Sequence, residues 1–205
     1  MQEFFGFFAA VIVISASGVM APGPLFATTV ANGIREGRIA GLKIAAGHTV
    51  IEFPLVILLG IGVLSLEILP QFRLIIGVLG ALSIFVFACL QIRSILKKQI
   101  TIQKESRYSS YLTGVLLTGL NPFFLIWWFT IGFKLIADAF LMWSFLGILI
   151  MFGLHIWMDY AWLFFVSTLS SKGTKFLTNK GYKFCMIAIN ASLIYFGISF
   201  ITNLG

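Results

Sequence analysis

Residues 4–34 contain no Asp, Glu, Lys or Arg, and the same holds for 53–66, 74–92, 108–133, 139–158 and 184–205. Runs of this kind leave few options for the fold. About 20 apolar residues in a helix cross a hydrocarbon layer of about 30 Å, and in lipid every backbone N–H and C=O must find a partner within the protein. Only helices and closed barrels meet that condition. Barrel strands alternate apolar and polar residues over segments of about ten, whereas these runs are continuously apolar. With 60% of the residues hydrophobic and 10% charged, no stretch remains for a soluble domain. The expectation is an all-α integral membrane protein with a single polytopic domain, 1–205. Its six transmembrane helices fall near 4–31, 39–66, 71–96, 109–135, 139–168 and 182–203.

The distribution of charge sets the orientation. Arg35, Arg38 and Lys43 follow the first span, and Arg93, Lys97, Lys98, Lys104 and Arg107 follow the third. Lys172, Lys175, Lys180 and Lys183 follow the fifth, so these three loops hold twelve of the fourteen basic residues. The positive-inside rule makes their shared face cytoplasmic and places both termini outside, as expected for a multi-pass protein of the cell membrane. In the outer loops Arg73 and Lys134 are offset by Glu67 and Asp138. The net charge of +7 is therefore topological, with membrane lipids rather than nucleic acid as the partner. The opening MQEFFGFF has Glu3 and no basic residue, unlike a cleaved secretory signal. Cys89 and Cys185 form no metal-knuckle spacing. As they fall at equivalent ends of spans three and six, a thiol-redox enzyme is an alternative, but no basic group or helix break adjoins either to activate a thiolate. No Gly-x-Ser-x-Gly elbow appears, and no cofactor is implied; an enzyme is not expected.

Two of the apolar runs are interrupted. The first contains Pro22-Gly23-Pro24 and the fourth Asn121-Pro122. Interior prolines remove backbone donors and clash with the preceding turn, so each site predicts a broken helix. Freed backbone groups are tolerated at membrane depth only against protein or a wet cavity. The second and fifth spans each carry a histidine followed four residues later by an acid, His48 with Glu52 and His155 with Asp159. The halves 1–100 and 108–205 thus share one plan: a broken helix, a helix with a His/acid pair, a plain helix. Three spans per half invert the second half, giving a 3+3 inverted repeat, and matched helix breaks in such halves point to a transporter's binding site.

Intramembrane ionisable groups are costly and default to functional candidates. Counting about 1.5 Å per residue from the cytoplasmic ends, His48 and Asp159 both lie about 13 Å deep, and Glu52 and His155 about 20 Å. Facing helices would therefore pair His48 with Asp159 and Glu52 with His155. Such pairs suit proton loading and release; a structural latch and a metal site are the other readings. Around the breaks, Pro22, Gly23, Pro24, Thr28, Asn121, Pro122 and Trp128 are candidates to line a substrate pocket. Gly33, Gly37 and Gly41 recur every four residues and are expected to serve close helix packing.

The run APGPLFATTVANGIREGRIAGLKIAAGHTVIEFPLVILLGIGVLSL, with YLTGVLLTGLNPFFLIWW in the second half, resembles the LysE/RhtB family of amino-acid exporters. The resemblance extends over essentially the whole chain in span number and order. It implies export, and it aligns the family's span-two acid with Glu52 and its span-five acid with Asp159. Leu25 stands where many members have Asn after Pro-Gly-Pro, and Ile51-Glu52 replaces the usual Gly-Asp. The expected function is a secondary exporter of an amino acid or related small metabolite, driven by proton antiport and alternating access. A divalent-metal exporter using His48, Glu52, His155 and Asp159 is the alternative. Whether several copies assemble is left open by the sequence.

Overall fold

The computed structural model describes residues 2–21, 23–66 and 109–172, together with the single positions 82, 85, 89, 92, 93, 187, 191, 194 and 198. The spans expected at 71–96 and 182–203 fall, apart from those single positions, outside the described residues, as do Cys185, Glu67 and Arg73. Among the described residues all regular structure is helical: α1 (Gln2–Val19), α2 (Pro24–Glu36), α3 (Ile39–Leu66), α4 (Ser110–Gly119), α5 (Pro122–Trp127), a π-helical turn (Trp128–Gly132) and α6 (Phe133–Ser171).

Both proline breaks are present. Between Phe4–Val19 and Pro24–Glu36 the path bends by 68°, with Gly23 extended at φ −121° and Pro24 opening α2. The second break follows Gly119: Asn121 is extended, its side chain accepts from Phe123 N at 3.0 Å, and Pro122 opens α5. Proline suits a first helical position because the amide it lacks has no intrahelical partner there. Each proline thus starts a new helix after the break.

α3 matches the second expected span at both ends and is apolar enough to cross a membrane, as is Phe123–Ser171. The latter covers 49 residues, which as a straight rod would reach about 74 Å, far beyond one crossing. It is folded instead. Trp143 (φ −144°, ψ 24°) and Ser144 (φ 54°, ψ −145°) leave helical geometry, and the rings of Trp128 and His155 lie 5.1 Å apart across the resulting hairpin. This corrects the expected limits of spans four and five at 135 and 139. The helix continues to Met142, and Lys134 and Asp138, expected in a loop, form an ion pair one turn apart on it. Trp143 fixes the turn, stacking on Phe4 and Phe8 of α1 and meeting Phe7 edge-on. Ser144 holds a positive φ without being glycine, a strain of about 1–3 kcal/mol. Ser144→Gly should therefore raise thermal stability in detergent, and Ser144→Val should lower it.

The core joins Val11 and Ile14 of α1 to Val56 and Val63 of α3 and to Ile131, Ile136, Ile148 and Met151 of the hairpin. α3 packs most heavily on α6 and α4. Its outer face, with Val50, Phe53, Leu58 and Ile61, is exposed, and so are Leu120, Leu146 and Trp157. Apolar side chains out and His48 and Glu52 in is the arrangement expected of a helix surrounded by lipid. Glycine sets the closest approaches. A Cβ on Gly41 would lie 2.1 Å from the Leu163 carbonyl oxygen, and one on Gly33 would lie 2.8 Å from Ser167 Cα. The expected packing role therefore falls to Gly33 and Gly41. Gly37 does not share it: it turns the chain between α2 and α3 at φ 76° with open space around it.

Candidate functional site

Where α3 and α4 cross, their backbones touch through glycine. A Cβ on Gly47 would come within 2.1 Å of the Tyr111 carbonyl oxygen, and one on Gly114 within 2.2 Å of that of Ile44. Thr118 stands one turn beyond Gly114, and this crossing brings its hydroxyl to 2.7 Å from His48 Nδ1. On the other side of α3 the hairpin delivers His155 and Asp159 from α6. All four ionisable side chains are buried, Glu52 most completely at 1% exposure.

They form one quartet. His48 Nε2 lies 3.1 Å from Glu52 Oε1 and 3.7 Å from Asp159 Oδ1. His155 Nε2 lies 3.2 Å from Glu52 Oε1 and 3.3 Å from Asp159 Oδ2. The structure thus brings together both crosswise pairs expected from depth, and also both pairs within a helix. Trp128 Nε1 donates to Glu52 Oε1 at 3.0 Å. The indole reaches this position because Gly132, one turn on, leaves room for it: a Cβ there would lie 2.3 Å from the ring. The intervening π-helical turn is a feature that recurs at functional sites. Trp128→Phe keeps an aromatic side chain but deletes the pyrrole half of the indole with its donor; loss of the hydrogen bond to a charged acceptor alone should lower unfolding stability by about 1.5–3 kcal/mol, measurable by tryptophan-independent thermal denaturation.

The quartet forms one wall of a cavity of about 330 Å³. Gly23, Pro24 and Leu25 from the first break and Asn121, Phe123 and Phe124 from the second also line it, with Trp127 and Trp128. Both helix interruptions therefore open onto the same space. Among the described residues no Lys or Arg lines it. The two helix starts differ. No side chain caps α2, whereas Asn121 caps α5. Among the described residues Trp127 Nε1, Glu52 Oε2 and His155 Nδ1 have no hydrogen-bond partner, and all three atoms are buried.

Of the candidates from sequence, Gly23, Pro24, Asn121, Trp128, His48, Glu52, His155 and Asp159 line the cavity. Thr28 does not: it is buried in α2, where its hydroxyl donates to the Pro24 carbonyl at 2.8 Å, as threonines inside helices commonly do. Pro22 lies outside the described residues, and Pro122 acts through the backbone by opening α5. Sequence reasoning missed Thr118, Phe124 and Trp127. Thr118 carried a usable signal, since it directly precedes the Gly119-Leu120-Asn121-Pro122 break. The two aromatic residues carried none that would separate them from lipid-facing neighbours.

An apolar helical chain with a buried polar quartet on a cavity between broken helices is a membrane protein of the translocator class. The chain belongs to the LysE type translocator family, whose model matches residues 16–204, nearly its whole length. This family moves small molecules across membranes, and its members are transporters rather than enzymes. No curated protein and no solved structure matches the chain.

Proposed function

We propose that this translocator is a secondary exporter of an amino acid or related small amine-bearing metabolite in the cell membrane. It works by proton antiport and alternating access between two inverted three-helix repeats, 1–100 and 108–205, with both termini outside. The observation that carries the proposal is the placement of Glu52 and Asp159 on a small, otherwise aromatic cavity onto which both helix breaks open. A substrate ammonium has two acids to meet there and, among the described residues, no competing Lys or Arg. Its carboxylate has the uncapped start of α2, where free amides and the helix dipole favour an anion. Its side chain would sit among Phe26, Phe124 and Trp127, which favours neutral amino acids with apolar side chains. At about 330 Å³ the cavity lies at the small end of ligand pockets.

The quartet supplies the coupling. Each histidine approaches both acids, so a proton has short paths among four sites, and bound ammonium and bound proton compete for the same carboxylates. That competition is the requirement for antiport, because substrate leaves outward as protons enter. Proteoliposomes loaded with a labelled apolar amino acid should release it faster when the medium is acidified, and addition of a protonophore should abolish the acceleration. Efflux of every amino acid tested at the rate of protein-free liposomes would reject the proposal.

A further inference from the structure

The spacing within the quartet suits something other than paired side chains. Charge-assisted N–H···O bonds run at about 2.7–2.9 Å, yet the four nitrogen–oxygen separations are 3.1, 3.2, 3.3 and 3.7 Å. They also alternate around a ring, histidine to acid to histidine to acid. One Nε2–H can point at only one acceptor, but each Nε2 here faces two. Ligands about 2.0–2.1 Å from a central zinc ion, arranged tetrahedrally, lie about 3.3 Å from one another. The edges from His48 Nε2, 3.1 Å to Glu52 Oε1 and 3.7 Å to Asp159 Oδ1, fall on either side of that value.

The surroundings match as well. His48 meets the quartet through Nε2 and holds Thr118 Oγ1 with Nδ1 at 2.7 Å, the outer hydrogen bond that fixes the ring of a metal-binding histidine. Trp128 Nε1 steadies Glu52. Among the described residues Glu52 Oε2 has no hydrogen-bond partner, on a side chain 1% exposed. Two neutral imidazoles, two carboxylates and a dication sum to zero charge, which an intramembrane site requires. The ligand positions of His48, Glu52 and Asp159 lie within 4.8 Å of one another, and His155 stands beside this set with Nε2 3.2 Å from Glu52 Oε1.

We propose that His48, Glu52 and Asp159 form a three-residue site for one divalent cation of the zinc class, its fourth position open to the cavity. The mixed nitrogen and oxygen donors favour zinc over the hard cations, which prefer all-oxygen shells. The site stands independently of the amino-acid reading, because an ion seated there holds both carboxylates and would block the pocket rather than drive it.

The test uses the full chain purified in detergent, stripped with a chelator and titrated with zinc alone against a chromophoric indicator, so that no transport is measured. One ion per chain is expected, with X-ray absorption showing nitrogen and oxygen ligands and no sulfur. Glu52→Gln and His48→Gln should each lower affinity by more than the roughly 10–100-fold expected for the outer-shell change Thr118→Val. Helicity and monodispersity, checked on each variant, separate loss of the site from loss of the fold. Absence of stoichiometric binding, or binding unchanged in the folded Glu52→Gln and His48→Gln proteins, overturns the proposal.

Discussion

Glu52→Gln should abolish uphill export while leaving a folded protein in the membrane. Glu52 Oε1 meets Nε2 of His48 and of His155 and Nε1 of Trp128. Glutamine keeps an acceptor in that place and adds a donor where the unpartnered Oε2 now lies, so the shape survives and the ionisable oxygen is lost. Alanine would be a poorer experiment. Removing one partner from a buried charged network costs about 3–5 kcal/mol, enough to confound transport with folding. The expected result is a fall in gradient-driven efflux of at least about 100-fold, since a carrier without its proton site has no coupled step, while exchange of labelled for unlabelled substrate falls less. Asp159→Asn should act in the same direction. Gradient-driven accumulation that survives in the double amide variant would remove the carboxylates from the mechanism.

The second large effect concerns the fold. Gly47→Ala should destabilise the protein out of proportion to one methyl group. Its Cβ would sit 2.1 Å from the Tyr111 carbonyl oxygen and 2.9 Å from Val115 N. Backbone atoms cannot rotate away as a side chain tip would, so α3 and α4 must separate. Overpacking typically costs about 1–3 kcal/mol, and here the same shift draws Thr118 from His48. Gly114→Ala should behave alike, its Cβ lying 2.2 Å from the Ile44 carbonyl oxygen. Gly153→Ala is the control: nothing lies within 4 Å of that position, so its melting temperature should hold or rise slightly through better helix propensity. Equal melting temperatures for Gly47→Ala and Gly153→Ala would show that the helix crossing is looser than the geometry indicates.

The site was more legible than the hairpin above it. Costly groups leave strong marks in an apolar sequence. Two prolines, an Asn-Pro and two His/acid pairs had to face protein or water, and their depths alone indicated which would meet. The turn at Trp143 and Ser144 left no such mark, because neither residue is a Gly or Pro breaker and the sequence on both sides is equally apolar. Asp138 drew the expected boundary too early: a charge in a membrane sequence suggests a loop, but here Lys134 neutralises it one turn away on a helix. Thr28 misled in the opposite sense, as a hydroxyl near a break can bond back to its own helix as readily as it can face a cavity. Glycine spacing gave the right role to Gly33 and Gly41 but not to Gly37, since a four-residue repeat cannot distinguish a contact from a turn.

The wide turn from Trp128 to Gly132 also governs phase. Each residue added to a helix rotates everything beyond it by about 100°. One residue fewer between Trp128 and Phe133 would swing Leu135, Ile136 and Ala139 away from the interior and carry the strained corner at Ser144 round with them. The pocket's indole and the distant bend therefore share one angular setting, so a sequence comparison that closes a gap here would assign inward and outward faces wrongly for the rest of that helix.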